Sequence, residues 1–235
     1  MRVTSSRPVG TKGVPRAQRE QLILDAATVE FGRFGYAGAA LSAVAAQAGV
    51  SKPLVLSYFG SKDGLYIACV ERAGANLVDH IEAVLRTQQP PRQMAEDTLA
   101  AIFEALAPRP HDWNVINDRT PPTGGKAHEA ARRVRITIAD QAARGVAAFA
   151  DLPHLADSGD VSLVTDLWIS AVTACVNWWL RNPDESAIQM SSRSRRVLTA
   201  FSAAIVDATA LSGRNHARGP LDTDDKFDTD DKVVE

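Results

Sequence analysis

Cysteine is nearly absent from this chain of 235 residues: Cys69 and Cys175 stand far apart, each among apolar residues. Two such thiols form no disulfide framework, and buried, reduced side chains in a cytoplasm are the expectation. His80, His111, His128, His154 and His216 are scattered without the spacing that holds zinc. No nucleophile elbow occurs, and Gly124-Gly125-Lys126-Ala127 lacks both the upstream glycine and the hydroxyl residue of a phosphate loop. These gaps leave an enzyme, a metal site and a cofactor unmotivated. Long hydrophobic runs are missing too. Leu167 to Leu180 is interrupted by Ser170, Thr173 and Asn177, and is too short by itself to span a bilayer. The N-terminus has no apolar segment of the signal-peptide kind. A soluble, cytoplasmic protein without a membrane partner is expected. Strand-period alternation is likewise absent, which leaves an all-α chain.

Helical periodicity is what the sequence does contain. One helix starts near Pro15 and stops at Gly35, with Ile23, Ala27, Phe31 and Phe34 as its stripe. Residues 41–48 and 52–59 make two short helices, and Lys62 to about Arg86 a long one. Beyond Pro90-Pro91 come helices over 92–106, 113–117, 126–149, 160–181 and about 185–211, each bounded by Pro or Gly. That makes about nine. The length suits one large or two small domains. The boundaries read along the chain are a flexible basic arm (1–14), a first group of helices (15–62), a larger group of helices (63–212) and a disordered acidic tail (213–235). In that tail Asp222-Thr-Asp-Asp-Lys226 recurs as Asp228-Thr-Asp-Asp-Lys232. Its charge suggests competition with DNA for the basic N-terminus.

Net charge is only −2, but it is unevenly spread. Residues 1–62 carry eight basic side chains against three acids, net +5, leaving −7 for the remainder. A basic end is the electrostatic footprint of nucleic-acid binding, and chance clustering in a solvated tail is the competing explanation.

The basic end contains Val44 to Lys62, VAAQAGVSKPLVLSYFGSK. Val44, Ala45 and Ala48 share a helix face, and Ala45 is small enough for a steep helix crossing. Gly49 supplies a left-handed turn and Val50 plugs back toward the first helix. Ser51 is an N-cap and Pro53 lies in the first turn, although proline disfavours helical geometry at Lys52. Val55 and Phe59 give the second helix a buried face. Ser61 caps the long helix that follows, with Asp63 complementing its dipole and Lys62 where a phosphate meets free amides. Helix-turn-helix proteins and plain αα-hairpins share these turn cues.

The order Ile23-Leu24-Asp25-Ala26-Ala27, Phe31, Gly35-Tyr36, Val44-Ala45, Ala48-Gly49-Val50-Ser51, Tyr58-Phe59, Ser61-Lys62 and Leu65 resembles the DNA-binding domain of the tetracycline-repressor (TetR) family. The resemblance covers roughly a fifth of the chain, from about Arg16 to Tyr66. It implies a homodimeric transcriptional regulator, a repressor released from double-stranded operator DNA by a small-molecule effector, with Ser42, Ser51, Lys52, Pro53, Leu54, Leu56, Ser57, Tyr58 and Lys62 at the duplex. Two positions depart from the family pattern. Ala39 and Ala40 stand where Thr or Ser caps the second helix, which shifts the helix start and its phosphate contact toward Ser42. Leu56 stands where Tyr is usual, an exchange of a hydrogen bond for an apolar contact such as a thymine methyl.

In the remaining helices, Leu163, Leu167, Ala171, Ala174, Cys175 and Trp178 lie near one face, and Val197, Phe201, Ala204, Ile205 and Ala208 mark another. Large apolar residues alternating with small ones suit close helix packing in a dimer or within a core. Phe103, Trp113, Asn117, Trp168, Asn177 and Trp178 are candidate ligand-lining groups, since aromatic walls with a few polar groups suit such pockets and ordinary cores alike. An architectural or partner-controlled DNA-binding protein with no small-molecule inducer is the alternative reading.

Overall fold

The computed structural model describes residues 14–87, 89–147 and 157–200. The described residues up to Arg193 form one compact unit. All described secondary structure is helical: α1 Arg16–Gly38, α2 Leu41–Gln47, α3 Lys52–Phe59, α4 Lys62–Leu85, α5 Pro91–Leu106, α6 His111–Asn117, α7 Lys126–Ala147 and α8 Ser158–Leu180. A further helical stretch occupies 187–200. Most of the basic arm, Phe149, the positions Phe201 to Ala208 and the acidic tail lie outside the described residues.

The first helix differs from expectation at its end. It does not stop at Gly35 but breaks there (φ 66°, ψ 172°) and resumes to Gly38. That backbone geometry is open essentially to glycine alone. The break turns Tyr36 inward, where its ring stacks beside Phe31 (6.4 Å) and meets Tyr66 edge-on (5.2 Å). Phe34, expected in the buried stripe, is 58% exposed, because Tyr36 takes the inward place. Ile23, Ala27 and Phe31 are buried as their spacing predicts.

α4 is the central strut and packs against α1, α5, α6 and α7. Its inward stripe is Leu65, Tyr66, Cys69, Val70, Ala73, Gly74, Leu77 and Ile81, while Val84 and Leu85 near its end are half-buried. Gly74 is small for a reason: a Cβ there would lie 2.7 Å from Val134 of α7. Burial pushes the Cys69 thiol up to about 12, so it stays protonated and inert.

α8 corrects the length argument. It starts at Ser158, well before Leu167, and its 23 residues are long and apolar enough to cross a bilayer by length and composition. Thr165, Val172, Val176 and Trp179 form its buried side. Leu163 and Leu167 are 59% and 61% exposed on the other.

Candidate DNA interface and its coupling to the helical core

The head is assembled by a small set of local contacts. Gly49 adopts φ 67°, and the amide of Val50 returns to the Ala45 carbonyl at 2.9 Å. This closes the turn and sets α3 across α2. Ser51 caps α3 by accepting the Leu54 N–H (3.3 Å), so the helix does begin at Lys52 despite Pro53. The Ser51 hydroxyl is thus occupied within the turn. Ser57 likewise donates its hydroxyl to the Leu54 carbonyl at 2.8 Å.

α3 fully buries only Val55. Lys52, Pro53 and Ser57 are exposed, and Leu54, Leu56 and Tyr58 are half-buried. A helix anchored by so little keeps most of its surface for a partner. Tyr58 has a second task. Its oxygen accepts from Arg19 Nη1 (3.4 Å), and the Arg16 guanidinium sits 5.2 Å over its ring. Arg16 and Arg19 at the start of α1 are thereby held beside α3.

α2 starts without a side-chain cap of its own, and the start does not shift to Ser42. Ala40 takes the cap position, and its N–H donates to the Glu30 carboxylate of α1 at 3.0 Å. Glu30 is buried, which explains an acid inside an otherwise apolar helix face. Ser42 remains exposed in the first turn of α2. No local pattern announces this substitute, because the cap comes from ten residues upstream.

Lys62 lies over the Tyr36 ring (4.9 Å from its centroid) and its Nζ donates to the Ala37 carbonyl at 3.4 Å. Tyr36 donates its hydroxyl to Asp63. That hydrogen bond, then burial and the Asp63 charge, raise the phenol to about 12, so it stays a neutral donor. Ser61 caps α4 by accepting the Gly64 N–H at 3.0 Å.

Residues 23–69 match the family model of bacterial regulatory proteins, tetR family. The N-terminal head is thus similar to the DNA-binding segment of tetR-family regulators. The chain is 37% identical over 93 residues to the HTH-type transcriptional activator FasR of Mycolicibacterium smegmatis, a match covering 40% of this chain and 42% of that protein. It is 38% identical over 86 residues to the HTH-type transcriptional regulatory protein RaaS of Mycobacterium tuberculosis, covering 37% and 39%. The chain therefore matches about two-fifths of the length of these relatives. Among solved structures, a TetR-like regulator from Rhodococcus sp. RHA1 superposes with a TM-score of 0.62 at 22% identity, over 81% of this chain and 98% of that one. FadR from Bacillus subtilis, solved in complex with stearoyl-CoA, gives 0.59 at 16% identity, over 76% and 96%. The shared fold covers 81% of this chain in the Rhodococcus comparison, whereas the family model matches residues 23–69 alone.

The core meets this head through α6, which packs against α1 and α4. Asn114 donates to the Gly32 carbonyl at 3.1 Å, and a Cβ at Gly32 would lie 2.7 Å from His111 Cβ. Tyr66 donates its hydroxyl to the Val115 carbonyl (3.1 Å). Beyond α6, Asp118 accepts the Tyr36 N–H at 2.6 Å and Thr120 accepts that of Ala37 at 3.1 Å. The break in α1 is thus capped by the loop after α6.

The proposed ligand-lining residues divide. Trp113 of α6 donates its indole N–H to Asn177 Oδ1 of α8 at 3.1 Å. Phe103 of α5 meets Trp179 edge-on at 5.3 Å. These four join α5, α6 and α8. Trp179 was missed, although it adjoins Trp178; neighbouring helical residues point about 100° apart, and sequence alone does not say which one turns inward. Trp178 instead lies under the Arg193 guanidinium (5.1 Å). Asn117 spends its amide on the Trp113 carbonyl at 3.0 Å. Trp168 is half-buried on α8.

Proposed function

We propose that the protein is a homodimeric, sequence-specific operator-binding regulator whose hold on DNA is changed by a small-molecule effector. The observation that carries this is α3: capped at both ends, buried at Val55 alone and flanked by Arg16, Arg19 and Lys62. Such a helix fits the major groove, with Lys52, Pro53, Leu54, Leu56, Ser57 and Tyr58 toward bases or sugars, and Ser42, Ser51 and Lys62 toward phosphates. Ser51 would contact a phosphate through its backbone, since its hydroxyl caps the helix.

Dimerisation rests on the exposed apolar side of α8. Leu163 and Leu167 are out of the core, and a two-fold partner helix would cover them. A dimer also matches a reader of two half-sites roughly 34–36 Å apart or more. The same partner explains the apolarity of α8 without a membrane, and a cytoplasmic location follows from a DNA target. The effector is proposed to enter among Phe103, Trp113, Asn177 and Trp179, where α5, α6 and α8 meet. Repression relieved by ligand is the simplest outcome, since ligand there acts on α6 and hence on α1. FasR is described as an activator, so operator position relative to the promoter decides the sign.

Selection of bound duplexes from random DNA at stated salt tests the reading. A two-fold symmetric consensus is expected. Retention of all sequences equally would sink it. Effector binding is tested on the selected duplex with a panel of apolar and aromatic molecules that includes stearoyl-CoA.

A further inference from the structure

The helical core carries a basic surface of its own. Between Asn117 and Arg135 stand Arg119, Lys126, Arg132, Arg133 and Arg135 against only Asp118 and Glu129, inside a remainder that is otherwise acidic. Three of these arginines are brought together. Arg135 is committed: its Nη1 donates to the carbonyls of Ile116 (2.8 Å) and Asp118 (3.4 Å), which pins the loop. Burial, and then the neighbouring charges of Arg119 and Arg132, lower its pKa. Arg119 and Arg132 are exposed, and neither makes an ion pair among the described residues. Arg119 stands on the loop that Arg135 pins, and Arg132 lies one helical turn before Arg135 on α7, so two exposed cations border that anchor.

Their location gives the anion. Arg119 lies between Asp118 and Thr120, the residues that hold the N–H groups of Tyr36 and Ala37. The Ala37 carbonyl is the acceptor for Lys62 Nζ. Arg119 is therefore rooted in the same turn as the lysine assigned to a phosphate, and its free side chain extends from there into solvent.

We propose that Arg119 and Arg132 form a second phosphate-contacting surface, by which the helical core itself touches the operator backbone flanking the groove that α3 reads. This rests on the DNA-binding reading above. The contact is sequence-independent, so it lengthens the footprint and raises affinity without altering base preference. Because it is rooted in the loop after α6, effector binding that moves α6 would withdraw it together with the head.

The test uses the full-length chain and the selected duplex, titrated across a salt series. Each phosphate contact contributes roughly 0.9 to the slope of log affinity against log salt. Arg119→Ala/Arg132→Ala should lower that slope by about 2 per protomer. The selected consensus should stay the same and the backbone footprint should shorten at its outer edges. Arg119→Lys/Arg132→Lys should restore the slope. Arg86→Ala/Arg92→Ala removes the same charge elsewhere and should leave the slope near wild type. If wild type binds its consensus and the alanine pair matches it in slope and footprint, this proposal is overturned alone. An equal loss in the Arg86/Arg92 control would overturn it too, in favour of overall charge. A wild-type protein with no sequence-specific footprint would overturn the parent reading along with it.

Discussion

Asp118 accepts the backbone N–H of Tyr36 at 2.6 Å, across 82 positions of sequence. Its other oxygen accepts the Thr120 N–H at 2.8 Å. One carboxylate thus caps the break in α1 and closes the loop after α6. Asp118→Ala leaves two amides without that acceptor and should destabilise the fold by about 1–3 kcal/mol. Urea unfolding measures this, with Asp118→Asn recovering part of the loss. A midpoint unchanged from wild type would show the cap to be dispensable.

Lys62 is expected to act on phosphate rather than on a base. Lys62→Ala should weaken every duplex by a similar factor and reduce the salt slope by about 0.9 per protomer. Loss confined to one base position would contradict the assignment. The substitution also removes the cation from the Tyr36 ring, so a thermal scan belongs beside the binding data.

The hydrogen bond from Trp113 to Asn177 joins α6 to α8. Trp113→Phe keeps an aromatic ring but deletes the donor, and should cost about 0.5–1.5 kcal/mol of stability. If the effector enters where these helices meet, the concentration needed to release DNA should shift several-fold while effector-free binding is retained. Unaltered release would move the effector site elsewhere.

Glu82 links α4 to α7 by accepting from Arg144 and from Gln141 (3.1 Å). The Arg144 hydrogen bond, followed by that of Gln141, holds its carboxyl at about 2 against an ordinary 4.5. The folded state therefore binds fewer protons than the unfolded one between these values. The stabilisation is complete above about 4.5 and is lost as pH falls toward about 2. Glu82→Gln should lower the melting temperature at neutral pH and flatten its fall over that window, so that the two proteins converge at low pH. Parallel curves for the two proteins would remove this role.

The helices of the head were legible because their signals are local. Gly49, Ser51, Pro53 and Ser61 act on their own neighbours within four residues, and the structure places them as caps and turn where the spacing indicates. The substitute cap at Ala40 was not legible, because Glu30 reaches it from another helix. Phe34 failed for a related reason: a regular stripe assumes an unbroken helix, and Gly35 ends that regularity.

Sequence by itself determined the all-helical class, the helix-turn-helix, the basic N-terminal end and the resemblance of that end to tetR-family regulators, since period, turn chemistry and charge are properties of short segments. Tertiary structure alone decided which of Trp178 and Trp179 faces α5, that Asp118 caps Tyr36, and that Arg119 stands beside Lys62's turn. Each of these depends on the packing of helices far apart in the chain, and helical periodicity gives a face without naming what will lie against it.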